Sequence, residues 1–214
     1  AEDGSANLYD SVAKALEAVA NAGGNENYVK LIASDYRDGN TEIYETVVFN
    51  QPGKTVELKM NGHTLKNGGG ATLEVEDGTL RITGDATIYQ EGTFPDTSAS
   101  AVAVSGGKLI FESDLVAHGG TVGSAMNIMT QKPAVYADGG ELDFRGNLDL
   151  LGGLAITGDA TLTQGLTQGT FRADESVKSA DRLSVKGSKN YKHLGLLLAD
   201  NRAFVDNADN SQYR

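Results

Sequence analysis

The chain has 214 residues, including 27 glycines but only 3 prolines, with no cysteine, no tryptophan and a formal net charge of −11. That length suits one sizeable domain, and the missing cysteine excludes disulfides and thiolate sites. The acidic balance, with no run of Lys or Arg, excludes a nucleic-acid binder, which needs a basic patch to displace counterions, and argues against an anionic membrane surface.

Residues 1–7 are polar and are expected to fray. Leu8 to Ala22 reads as a helix, because Leu8, Val12, Leu16 and Val19 form one apolar stripe at helical period and a Gly-Gly pair follows. Tyr28 to Ala33 is the first expected strand, and residues 34–42 form a polar turn. Tyr44 to Phe49 and Thr55 to Met60 complete a first coil, and Lys66 to Thr72 leads into a set of repeats.

The first repeat runs Leu73-x-Val75, Gly78, Leu80-x-Ile82, Gly84-Asp85 and Ala86-x-Ile88. Shifted by 29 residues it returns as Val102-x-Val104, Gly107, Leu109-x-Phe111, Ser113-Asp114 and Leu115-x-Ala117. A further shift of 33 gives Val135-x-Ala137, Gly140, Leu142-x-Phe144, Gly146-Asn147 and Leu148-x-Leu150. Alternation places one set of side chains on one face of a strand, and the glycines supply tight turns. One unit cannot bury its own apolar face, but stacked units can. Leu73, Val102 and Val135 are therefore expected in one inward column. Val75, Val104 and Ala137 form the next, then Leu80, Leu109 and Leu142, then Ile82, Phe111 and Phe144. An antiparallel sandwich also has short strands, but it need not repeat one turn residue at one offset.

Asn61-Gly62-His63-Thr64-Leu65 after Val56-x-Leu58-x-Met60, with the S-G-G-K-L-I-F and D-G-G-E-L-D-F segments, resembles the coils of secreted bacterial surface proteins with a pectate-lyase-like right-handed β-helix. The resemblance covers roughly residues 28–185. With the repeats, it implies an all-β, right-handed parallel β-helix over 28–185 in a single domain of 1–214. The helix over 8–22 is read as an N-terminal cap, because the open end of such a coil exposes unpaired strand edges that a helix laid across it blocks. The resemblance also implies an extracellular location, and Ala1 is expected to follow a cleaved signal or to open a piece of a longer surface protein. That fold carries lyases, hydrolases, adhesins and inert stalks, so the resemblance alone does not select a function.

Past Gly152 the register slips. Gly152-x-Leu154-x-Ile156 arrives early, Ile156 to Leu162 (ITGDATL) nearly copies Ile82 to Ile88 (ITGDATI), and Gly169-Thr170-Phe171 is expected to restore the end of the unit. Leu183 to Val185 is the next expected strand, continuing the column of Val135. Residues 186–214 form a C-terminal cap and tail, with a short helix over Tyr191–Asp200 and a strand at Ala203-Phe204-Val205.

Two insertions, 95–100 and 123–134, leave the coil at one place, after Gly-Thr-Phe or Gly-Thr-Val. They are expected side by side on one edge, where insertions in repeat proteins often make the binding face. The candidate binding residues are Tyr89, Pro95, Asp96, Met126, Asn127, Met129, Gln131, Lys132 and Tyr136.

Other sites are weaker. His63, His118 and His193 are scattered, and a zinc site would need carboxylates converging with them from separate coils. Asp85, Asp114, Asn147 and Asp159 share one repeat position; a calcium ladder is one reading and turn chemistry the other. Only Arg81 and Arg145 lie in the core repeats, and the paired carboxylates that pectin hydrolysis requires do not stand out. No catalytic residue, metal or cofactor is assigned. The expected function is a non-catalytic, adhesin-like binding module for a host extracellular protein or glycan, without nucleic acid or membrane insertion. A polysaccharide lyase or hydrolase and a passive stalk are the alternatives.

Overall fold

A computed structural model describes residues 7–22, 28–32, 46–92, 99–122, 130–146, 148–156, 159–164, 169–171, 185–187, 194–198 and 202–206. The chain opens with helix α1 (Val12–Asn21) and then forms strands β1 (Tyr28–Lys30), β2 (Val47–Lys59) and β3 (Thr64–Asn67). Three regular turns follow. The first contains β4 (Leu73–Thr83) and β5 (Ala86–Gln90); the second contains β6 (Val102–Val104), β7 (Lys108–Phe111) and β8 (Leu115–His118). A small hairpin, β9 (Thr121–Val122) and β10 (Thr130–Gln131), precedes the third, made of β11 (Val135–Ala137), β12 (Glu141–Phe144) and β13 (Leu148–Leu151). The chain continues through β14 (Leu154–Ile156), β15 (Thr161–Gln164), β16 (Gly169–Phe171), β17 (Val185–Gly187), β18 (Leu194–Leu198) and β19 (Arg202–Asp206).

Corresponding strands of successive turns pair in parallel, which makes the chain a parallel β-solenoid. A 12-stranded sheet gathers the first two strand positions of each turn, and a 5-stranded sheet, β16-β13-β8-β5-β3, gathers the third. All four expected columns form: Leu73 pairs with Val102 and Val102 with Val135, Val75 with Val104 and Val104 with Ala137. Leu80, Leu109 and Leu142 align next, beside Ile82, Phe111 and Phe144. These side chains are buried in one continuous core. Strand alternation sends them inward, and the stacked tiers remove their apolar area from water at roughly 25 cal/mol per Å².

Helix α1 starts at Val12, not Leu8. Ser11 is extended at φ −147°, and its hydroxyl accepts the Lys14 N–H at 3.2 Å, satisfying a donor that the first turn leaves open. Leu8 lies outside the helix and is 75% exposed. The buried stripe is Val12, Ala15, Leu16, Val19 and Ala20, and it packs against β1 and β2 in the same core as the coils.

Other boundaries also move. The two strands expected between Tyr44 and Met60 are one bent strand, β2, whose register on β4 slips between Asn50 and Thr55. Beyond Gly152, Leu154 pairs with Val135 and Leu162 with Leu142, so β14 and β15 continue the first and second positions. The near-copy ITGDATL therefore spans the corner between first and second strands, whereas ITGDATI spans the corner between second and third. The same letters serve two different corners because both need an apolar pair either side of a Gly-Asp turn. Gly169–Phe171 pairs with Leu148–Leu150, making it a third-position strand rather than the end of a unit. Val185 pairs with Leu162, not with the column of Val135. The helix expected over Tyr191–Asp200 is replaced by β18, which pairs in parallel with β14 and antiparallel with β19. An apolar run of this length does not distinguish a helix from a buried strand. Leu183 and residues 191–193, 199–200 and 207–214 lie outside the described residues.

Candidate functional site

The corner after the third strand position is where the insertions leave. Inside it, buried amides repeat one device. Asn67 Oδ1 accepts the Gly69 N–H at 3.1 Å, and Gln90 Oε1 accepts the Gly92 N–H at 2.9 Å. Asn67 and Gln90 are register partners, each turning the chain two residues on. One tier further the equivalent position is Gly119. A Cβ there would collide with the carbonyl oxygens of Lys132 and Pro133, so the returning limb of the second insertion occupies the space that the amide side chain fills below.

The stems of the two insertions are hydrogen-bonded together. Thr121 N–H donates to the Gly92 carbonyl at 2.9 Å, Gly120 N–H to Ala99 at 2.8 Å, and Lys132 N–H to Gly120 at 2.7 Å. Thr121 and Val122 pair with Gln131 and Thr130 in the β9–β10 hairpin. The expected adjacency of the insertions therefore holds at their bases, and Gln131 and Lys132 stand at that shared corner. Pro95, Asp96, Met126, Asn127 and Met129 lie outside the described residues.

Tyr89 and Tyr136 are not on one face. Tyr89 lies on the outer side of β5 in the 5-stranded sheet, and Tyr136 on the outer side of β11 in the 12-stranded sheet. The Tyr89 ring stacks on His118, with centroids 4.4 Å apart and planes at 29°. From the preceding tier Lys66 Nζ lies 5.6 Å from the ring centroid and pairs with Glu91 at 2.7 Å. Neighbouring tiers thus pack on the ring from either side. Tyr136 differs: its register neighbours are Ala103 and Ala155, and Ala155 is fully buried although alternation turns it outward. His63 is half-buried beside the Asn61–Gly62 turn, and His193 lies outside the described residues.

The outer face of the second strand position carries a network that inspection of the sequence missed. Arg81 Nε and Nη2 donate to Glu112 Oε1 at 3.1 and 3.0 Å. Arg145 Nη1 donates to both Glu112 oxygens, and its Nε and Nη2 reach Asp143 Oδ2 at 3.0 and 2.7 Å. Asp143 is only 5% exposed, although alternation turns it outward. Partial burial pushes the Glu112 carboxyl up, but hydrogen bonds from Arg145 and Arg81 outweigh that and hold it below the ordinary carboxylate range. Both arginines are committed to structural carboxylates across successive turns. The residues were visible, but Glu112, which joins the two arginines, is 31 residues from Arg81 and 33 from Arg145 and meets them only once the register is known.

On the first strand position the sign reverses. Burial raises the Glu74 carboxyl above its usual range, helped by the charges of Glu76 and Asp138. A raised carboxylate contributes its stability fully below the unfolded pKa, and that contribution is lost as pH rises through the folded value. Glu74→Gln should therefore raise the urea midpoint at neutral pH, and the gain should vanish below the ordinary carboxylate range. Urea titrations at the two pH values check this.

The column of four turn residues is incomplete. Asp85 and Asp114 occupy successive turns, and Ala86 N–H donates to the Asp114 carbonyl at 2.8 Å. Asp159 precedes Thr161, which pairs with Glu141, so it sits at the corner before the second strand position rather than in that column. Asn147 lies outside the described residues. Among the described residues no group of three or more His, Cys, Asp or Glu is placed to hold a metal ion.

No family model, curated protein or solved structure matches the chain.

Proposed function

We propose that the protein is a non-catalytic, extracellular binding module of a bacterial surface protein, adhesin-like, which contacts a host protein or glycan through its two edge insertions. The observation that carries this reading is the shared corner, where Thr121 and Gly120 donate to Gly92 and Ala99. Two excursions leave from adjacent tiers at one hydrogen-bonded corner, whereas corners such as Gly106–Gly107 are lean. Tyr136, on the strand that the second insertion leads into, is the aromatic that flanks that surface. A right-handed coil and a capping role for α1 belong to the same proposal; the packing of α1 on β1 and β2 supports the cap.

Removing residues 94–98 and 124–129 together should leave the far-UV spectrum of the solenoid unchanged. It should abolish saturable capture of a protein or glycan from a host extracellular extract. Capture that survives the double deletion with equal affinity would remove the insertions from the account. Shortened or unsaturated sugars released from a polysaccharide digest would instead favour an enzyme.

A further inference from the structure

We infer that the Asp77–Gly78 step is a site of spontaneous covalent modification, in which aspartate isomerises through a succinimide. The Gly78 N–H donates to Asp77 Oδ1 at 2.6 Å, so the side chain folds back over the peptide bond that follows it. Asp77 is exposed, and Gly78 has φ +84°. The ladder between β2 and β4 is irregular here: Asn50 pairs with Asp77, and the next matched pair is Thr55 with Thr79.

This geometry directs the amide nitrogen at the carboxyl carbon. Once the nitrogen loses its proton it attacks Cγ of Asp77, an N–Cγ bond forms, and a protonated carboxyl oxygen leaves as water. Water then opens the five-membered ring. Attack at the side-chain carbonyl restores aspartate, and attack at the main-chain carbonyl leaves the backbone running through Cβ and Cγ as isoaspartate. The step consumes no other reagent, and glycine leaves the nitrogen unhindered.

Asp138–Gly139 provides an internal comparison. Asp138 is also exposed and followed by glycine. The Asp138 N–H is tied to the Val104 carbonyl at 3.0 Å, and Gly139 lies against the Ser105 carbonyl much as Gly78 lies against that of Gln51, so what sets Asp77 apart is its side chain folded back onto the following N–H. Isomerisation at Asp77 has a structural consequence, because the Asp77 backbone is the seat on which Gly107 of the next turn rests. The inference is independent of the binding reading.

The experiment incubates the folded protein at physiological temperature and mildly acidic pH, labels isoaspartate with an isoaspartyl methyltransferase, and localises it by electron-transfer fragmentation. Isoaspartate should accumulate at position 77 several-fold faster than at 138. Asp77→Asn should accelerate it with release of ammonia, and Asp77→Glu, which cannot close the five-membered ring, should show none there. Absence at 77 in the wild type, equal or faster formation at 138, or an unchanged signal in Asp77→Glu would overturn the assignment.

Discussion

Gly107→Val should destabilise the fold by about 4 kcal/mol or more, a loss in the range that only backbone strain, overpacking or core cavities reach. Gly107 has φ +63°, a conformation that a β-branched residue resists. A Cβ there would meet the carbonyl carbon of Asp77 at 2.8 Å and its Cα at 2.9 Å, both backbone atoms of the turn below. Relief would require two stacked turns to separate, opening the ladder on either side. Thr121→Val is the matched control. It adds no strain at a strand position, and its effect should stay within about 0.5 kcal/mol. Urea midpoints of the two variants against the wild type measure both, and equal midpoints would count against the stacked turns.

Phe111→Ala should cost about 3–5 kcal/mol, the usual range for emptying an aromatic site in a core. Phe111 is buried, and its ring stacks on Phe144 with centroids 5.5 Å apart and planes at 15°. The two rings occupy one inward column in successive turns, with Ile82 in the turn before. Removing the middle ring opens a cavity bounded above and below by tiers whose spacing is fixed by backbone hydrogen bonds, so collapse is limited. Phe111→Leu, which restores most of the volume, should recover more than half of the loss. A variant that melts like wild type would show that the column is not the packed centre.

These two sites also show what the sequence could and could not reveal. Gly107 and Phe111 were legible together because an inward alternation and a turn glycine recur at one offset, and that combination fixes register as well as strand. Beyond Gly152 the same reasoning failed. ITGDATL repeats ITGDATI almost unchanged, yet β14 and β15 show that it has moved to a different corner, because a Gly-Asp turn between apolar pairs fits either place. The run around Leu194–Leu198 read as a helix because continuous apolarity carries no period, and its partner β14 lies far away in sequence. Leu8 fell outside α1 for a local reason, the Ser11 cap, which apolar spacing alone does not announce.

The candidate site was legible in outline only. The two insertions were visible as breaks after Gly-Thr, and their shared corner follows from register. Gly119, the notch that seats Lys132 and Pro133, gave a fainter signal: it stands where earlier tiers carry Asn67 and Gln90, each two residues before a glycine. The covering of Tyr89 by His118 and Lys66 was invisible, since cross-tier neighbours are set by alignment between turns. The same holds for the meeting of Arg81 and Arg145 on Glu112.

The functional reading depends on one structural claim, that successive turns stack in parallel so that the insertion stems become neighbours. Thr87, Val116 and Asp149 face outward and align in register across three tiers. The chain has no cysteine, so Thr87→Cys with Asp149→Cys gives a doubly spin-labelled protein free of background. Two tiers at the inter-strand spacing put the paired Cα atoms about 10 Å apart, and strong dipolar broadening should appear that vanishes in urea. A folded protein whose two labels show no broadening would contradict the solenoid and, with it, the shared corner on which binding is proposed.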